Sequence, residues 1–168
     1  SQPIDAFSGN TEKEYTLETV VNKPLLWSAE TPHLYTVIVS MTDSKGKETE
    51  AMSSKLGFRR IEVKNKRVYI NNEPVFFKGV NRHDIHPQFG KAVPNESMIE
   101  DIILMKQHNI NMVRTSHYPN SPKMYAMYDY YGLYVMDEAD LENHGNHAIS
   151  NIPSWIPAFE DRIERVIQ

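Results

Sequence analysis

Short apolar runs at 78–81, 111–115 and 133–136 are each followed by a longer stretch whose apolar residues recur with the spacing of a helix. This alternation constrains the fold more than any other feature. Two parallel strands can be joined only by a long crossover, and the crossover is ordinarily a helix. Met98, Ile99, Ile102, Ile103 and Met105 form one broad face after Pro94-Asn95, so Asn95 is expected to cap a helix that runs out near Asn109. Ser121-Pro122 places a cap residue before proline at the first position of a second helix, and Gly132 ends it. Phe159, Ile163, Val166 and Ile167 give a third stripe that still runs at Gln168. A β/α barrel needs eight such units and about 250 residues. Three units therefore read as a small open sheet or as the start of a longer barrel, and the uncapped last helix favours the second.

The texture upstream is different. Residues 1–57 read as all-β, with strands at Thr16–Val21, Leu34–Thr42 and Glu48–Lys55, the last two joined by the turn-rich Asp43-Ser44-Lys45-Gly46-Lys47. These are too few strands for a complete sandwich. A second hairpin runs from Arg67–Ile70 back through Pro74–Phe77 across Asn71-Asn72-Glu73, where asparagine tolerates the left-handed backbone of a tight turn. Two unequal pieces are expected, 1–57 and 58–168.

Charge and composition remove several classes of function. Eighteen Lys plus Arg stand against 22 Asp plus Glu, a net charge of −4, which leaves no basic excess to neutralise a phosphate backbone. Nucleic acid is excluded as an expected partner. The absence of cysteine confines any metal to His, Asp or Glu. No run approaches the roughly 20 apolar residues that span a bilayer, so no membrane partner is expected. Ser1–Asn10 lacks the basic start and apolar run of a signal peptide. Cytoplasm is the expected location, with periplasm or secretion left open by a leader removed upstream.

All three apolar runs turn polar at the same end: Asn81-Arg82-His83-Asp84, Arg114-Thr115-Ser116-His117, and Asp137-Glu138 leading to Asp140, Glu142 and His144. Each residue alone is what a solvated loop supplies. Their coincidence at three carboxyl ends points to one site, because parallel α/β folds build ligand sites there. Glu142 and His144, one residue apart before Gly145, can share a divalent cation, and His147 is a further donor. By spacing alone the signal is weak, and the donor types suit Mg²⁺ or Mn²⁺ more than structural zinc. Asp137 and Glu138 are neighbours on a strand, point to opposite faces and are not a catalytic carboxyl pair. Tyr125, Tyr128, Tyr130 and Tyr131 lie at helical spacing and read as core and helix surface rather than as a sugar-stacking cluster. Lys64, Lys66 and Arg67 read as a solvated face.

The motifs Leu26-Trp27-Ser28-Ala29-Glu30-Thr31-Pro32-His33-Leu34-Tyr35, Gly57-Phe58-Arg59, Lys78-Gly79-Val80-Asn81-Arg82-His83-Asp84, Val113-Arg114-Thr115-Ser116-His117-Tyr118-Pro119-Asn120, Gly132 to Ala139 and Glu142-Asn143-His144-Gly145 stand in order along the chain. Together they resemble the glycoside hydrolase family 2 β-galactosidases of the bacterial lactose-cleaving type. The resemblance implies the C-terminal part of an immunoglobulin-like β-sandwich, followed by the first three βα units of a (β/α)8 TIM barrel. It implies that His83 and His117 contact a galactosyl group, that Arg114 supports the site floor, and that Glu142 and His144 ligate Mg²⁺, with Na⁺ a further ion of the parent protein. It also implies a retaining mechanism on two glutamates. Neither glutamate lies in these 168 residues, so the parent is expected to hydrolyse β-galactosides while this piece is inactive. The parent is expected to be a homo-oligomer, and exposed sheet edges predict that the piece self-associates. The neighbouring readings are a β-glucuronidase or β-mannosidase of the same family, a non-catalytic carbohydrate-binding module, and an unrelated metal-dependent hydrolase.

Overall fold

The computed structural model describes residues 2–4 and 9–167. Strands β1 (Tyr35–Thr42) and β2 (Glu48–Leu56) pair antiparallel as a hairpin. Its turn is held by Asp43, whose Oδ1 accepts the backbone N–H groups of Lys45 and Lys47 at 2.8 and 3.0 Å. Val37, Ile38, Val39, Met41 and Met52 all stay exposed, and no second sheet packs on this pair among the described residues. Thr16–Val21, expected as a strand, is irregular, with Leu17 and Val20 exposed. Alternating apolar residues make a strand only when a neighbouring ladder takes up the backbone groups, and among the described residues this segment has none.

The second sheet consists of β3 (Ile61–Lys64), β4 (Arg67–Ile70) and β5 (Glu73–Pro74). Asn71 and Asn72 have φ of 54° and 69°, the left-handed pair that closes a two-residue hairpin. The returning arm is shorter than the sequence predicts. Pro74 has no N–H to donate, and after it only Val75 N–H reaches back, to Val68 O at 3.0 Å.

The third sheet is parallel, as the alternation requires. β6 (Gly79–Arg82), β7 (Met112–Thr115) and β8 (Tyr134–Met136) lie in that order, with α1 (Asn95–Gln107) and α2 (Pro122–Tyr131) as the crossovers. A final helix, α3 (Ile156–Ile167), follows β8 and two short 3-10 turns. Pro94, not Asn95, is the N-cap of α1, and no side chain caps it. The helix begins one residue earlier than expected, so Asn95 already has helical backbone and cannot fold back on the first amides. At the other end, Asn109 takes φ of 58° and Ile110 N–H bonds Met105 O at 3.0 Å, the left-handed closure that asparagine tolerates.

Period-two alternation along β7 separates two cores. Val113 is fully buried among Met98, Ile102, Met105, Met124, Tyr128 and Leu133, on the side covered by α1 and α2. Met112 faces the other way, toward Trp27, Ala29, Ile70 and Tyr134. Segment 26–34 and the β3–β4 hairpin therefore plug the amino ends of the parallel strands. Trp27 donates its indole N–H to Asp129 O at 2.8 Å, and Lys106 Nζ donates to both Ala29 O and Gly132 O at 2.9 Å. Gly132 has φ of 76°, and a Cβ there would stand 2.4 Å from Ala29 O. Only glycine allows α2 to end against this segment.

Candidate active site

The face of the sheet plugged at its amino end by Trp27 and Tyr134 is polar at its carboxyl end. Asn81 pairs in register with Arg114, and Arg114 with Met136. Glu138 is two residues beyond Met136, so it returns to the same side as Arg114. Glu138 Oε1 lies against Arg114 Nε as an ion pair, out of line for a hydrogen bond, while Oε2 is 3.0 Å from His117 Nδ1. The His83 and His117 rings meet edge to face at 5.6 Å, and Tyr118 OH is 3.4 Å from His83 Nδ1. The structure thus brings His83, Arg114 and His117 together, three residues that sequence reasoning singled out. It adds Glu138, which that reasoning left without a partner.

A second, buried layer lies behind this one. Arg82 and Asp84 flank His83 and point away from it. Arg82 Nη1 donates to Asp84 Oδ1 at 2.8 Å, and its Nε donates to Asp101 Oδ2 on α1 at 2.9 Å. Asp84 Oδ2 also accepts the Ser121 N–H at the start of α2. Burial by itself lowers the Arg82 guanidinium, but its bonds to Asp84 and Asp101 outweigh this and hold it above its ordinary value. Asp137, on the opposite face from Glu138, accepts from Thr115 Oγ1 at 2.6 Å and from Tyr125 OH at 2.7 Å. Core and helix surface are where the spacing of the tyrosines predicts them. Tyr128 is buried with its hydroxyl on Asn120 Oδ1, and Tyr130 is exposed.

Burial pushes the Tyr128 and Tyr125 hydroxyls up, with the hydrogen bond to Asp137 adding to the effect at Tyr125. Above about pH 10 the unfolded chain releases these protons while the folded chain keeps them, so stability falls as pH rises past that point. Urea-unfolding midpoints are expected to drop more steeply there for the unaltered chain than for Tyr128→Phe. Parallel curves would show that Tyr128 does not drive the loss.

Glu142 and His144 lie in the loop after β8, with Oε1 and Nδ1 3.5 Å apart and His144 largely exposed. Adjacent ligands of an octahedral Mg²⁺ stand about 3 Å apart, so the pair fits as two donors of a cation site. His147 is near, its ring 6.0 Å from that of His144. No group of three or more His, Asp or Glu suited to a metal occurs among the described residues, so the donor set is partial. Asp140 Oδ2 and its carbonyl accept from Arg162 Nη1, tying the start of this loop to α3.

A family model described as glycosyl hydrolases family 2, TIM barrel domain, matches residues 61–168, and one described as glycosyl hydrolases family 2 matches residues 2–59. The chain belongs to glycosyl hydrolase family 2. Within that family it is similar to the β-galactosidase of Yersinia enterocolitica, 47% identical over 171 residues, with all of this chain and 16% of the relative covered. It is also similar to the β-galactosidase of Pectobacterium atrosepticum, 44% identical over 95% of this chain and 16% of the relative. The chain spans about one sixth of the length of these relatives. Among solved family 2 structures, the β-galacturonidase of Eisenbergiella tayi bound to galacturonate aligns with a TM-score of 0.67 at 33% identity, covering 73% of this chain and 22% of that one. The β-glucuronidase of Ruminococcus gnavus aligns with a TM-score of 0.66 at 29% identity, covering 70% and 20%. The parallel β6–β8 unit is accordingly part of a family 2 TIM barrel. No helix among the described residues is long and apolar enough to cross a membrane.

Proposed function

We propose that this chain is one wall of the galactosyl site of a retaining β-galactosidase, formed by the first three βα units of its (β/α)8 barrel at 58–168 and preceded at 1–57 by the end of an immunoglobulin-like sandwich. The observation that carries the reading is the convergence of His83, Arg114 and His117 at the strand ends, in a chain 47% identical along its whole length to a β-galactosidase. His83 and His117 would bind and orient sugar hydroxyls, with Arg114 as the floor. Glu142 and His144 would hold Mg²⁺, which when bound supplies positive charge that orders hydroxyls and water beside the sugar. Retention needs two carboxyls about 5 to 5.5 Å apart across the glycosidic bond. Glu138 is committed to Arg114 and His117 and does not serve as one of them. The catalytic pair therefore belongs to other parts of the parent, which would be cytoplasmic and homo-oligomeric.

A β-glucuronidase is the second reading, favoured by the solved structures that align. Charge argues against it. A uronate carboxylate calls for an uncommitted cation, and among the described residues of this wall Arg114 is paired with Glu138, Arg82 with Asp84 and Asp101, and Lys91 lies over the Tyr118 ring at 3.5 Å. The full-length protein is expected to hydrolyse an aryl β-galactoside in preference to the β-glucuronide, and His83→Ala to lower kcat/KM by about 100-fold or more. The 168-residue chain alone is expected to turn over neither. Preference for the glucuronide would overturn the galactosidase reading.

A further inference from the structure

We propose that Glu138 is the positioning residue that selects the tautomer of His117, fixing its proton on Nδ1 and leaving Nε2 bare as an acceptor for a substrate hydroxyl. The inference deepens the function proposed above and rests on it for the identity of that hydroxyl. Two groups crowd His117 Nδ1: Glu138 Oε2 at 3.0 Å and Arg114 Nη2 at 3.4 Å. They make opposite demands. The carboxylate oxygen can only accept, and the guanidinium can only donate. The carboxylate contact is the shorter of the two, and the guanidinium has the other carboxylate oxygen as its partner, so Nδ1 carries the hydrogen and Nε2 does not. Arg114 is meanwhile occupied by the other oxygen, Oε1. A carboxylate is the one side chain of this shape that presents a negatively charged oxygen to each side at once, an ion-pair partner for Arg114 and an acceptor for His117.

That symmetry makes the isosteric change Glu138→Gln diagnostic. An amide has a single oxygen; Arg114 takes it, and the –NH₂ then faces His117 Nδ1 as a donor. The ring proton is forced to Nε2, which changes from acceptor to donor while the shape of the site is kept. In the full-length enzyme, Glu138→Gln is expected to lower kcat/KM for an aryl β-galactoside by about 10- to 100-fold. In a His117→Ala background the same change is expected to cost less than about threefold, because its route of action is already gone. Equal losses in both backgrounds would assign Glu138 to the scaffold alone and overturn the proposal. Ring-¹⁵N-labelled histidine in the unaltered enzyme gives a readout independent of turnover and of whether the variant folds. A bare Nε2 on His117 supports the proposal, and a protonated Nε2, in a neutral or a charged ring, overturns it. An unaltered enzyme that cleaves no β-galactoside would refute the proposed function, and the ¹⁵N measurement would still decide the role of Glu138.

Discussion

Arg82→Ala is expected to destabilise the chain by about 3 to 5 kcal/mol, the loss typical of removing one partner from a buried ion pair. Arg82 is 8% exposed and joins three elements: β6, through its own backbone; α1, through Asp101; and the start of α2, through Asp84 and the Ser121 N–H. Without it Asp84 keeps one amide donor and no counter-charge. Two controls separate this account from simple loss of packing. Asp101→Ala, whose side chain is 46% exposed, is expected to change stability by no more than about 1 kcal/mol. The double change Arg82→Met with Asp84→Leu is expected to recover most of the loss, because no charge remains buried. Chemical-denaturation midpoints on the set check both, and a double variant no more stable than Arg82→Ala would contradict the charge argument.

Trp27→Ala is expected to cost a similar amount, about 3 to 5 kcal/mol. Trp27 is 1% exposed, packs edge to face on Tyr134 at 5.6 Å, lies under the Arg59 guanidinium at 4.9 Å and donates to Asp129 O. Trp27→Phe keeps most of the apolar contact and loses the hydrogen bond, so it is expected to cost less. Thermal melts rank the three chains. A Trp27→Ala variant within 1 kcal/mol of the unaltered chain would mean that segment 26–34 is not docked on the sheet.

The parallel unit was legible in the sequence because several signals agreed there: strand length, helical period, proline after Ser121 and glycine at 132. The candidate site was half legible. His83, Arg114 and His117 stand at the ends of apolar runs, where fold logic places ligands. Glu138 did not stand out, because its role depends on register: the in-line pairing of Arg114 with Met136 puts a residue two further on beside Arg114, and register is set by the ladder rather than by either strand alone. Arg82 and Asp84 were hidden for a related reason. Charged residues read as surface until a helix is known to cover them. Thr16–Val21 failed the other way, since its strand-like residues meet no ladder among the described residues.

The plug beneath the sheet also carries an expectation about the order of folding. Trp27 is 102 residues from the carbonyl it bonds, and Lys106 reaches back 77 residues to Ala29. Contacts that close such long loops are expected to form late, after the shorter-range strand and helix pairings have lowered the entropy of closure. During synthesis segment 26–34 leaves the ribosome long before Gly132 and Tyr134 exist to receive it. A lesion at Trp27 is therefore expected to act on the unfolding limb, hastening escape from the native state and leaving the rate of reaching it nearly unchanged; stopped-flow folding and unfolding rates of Trp27→Phe check this.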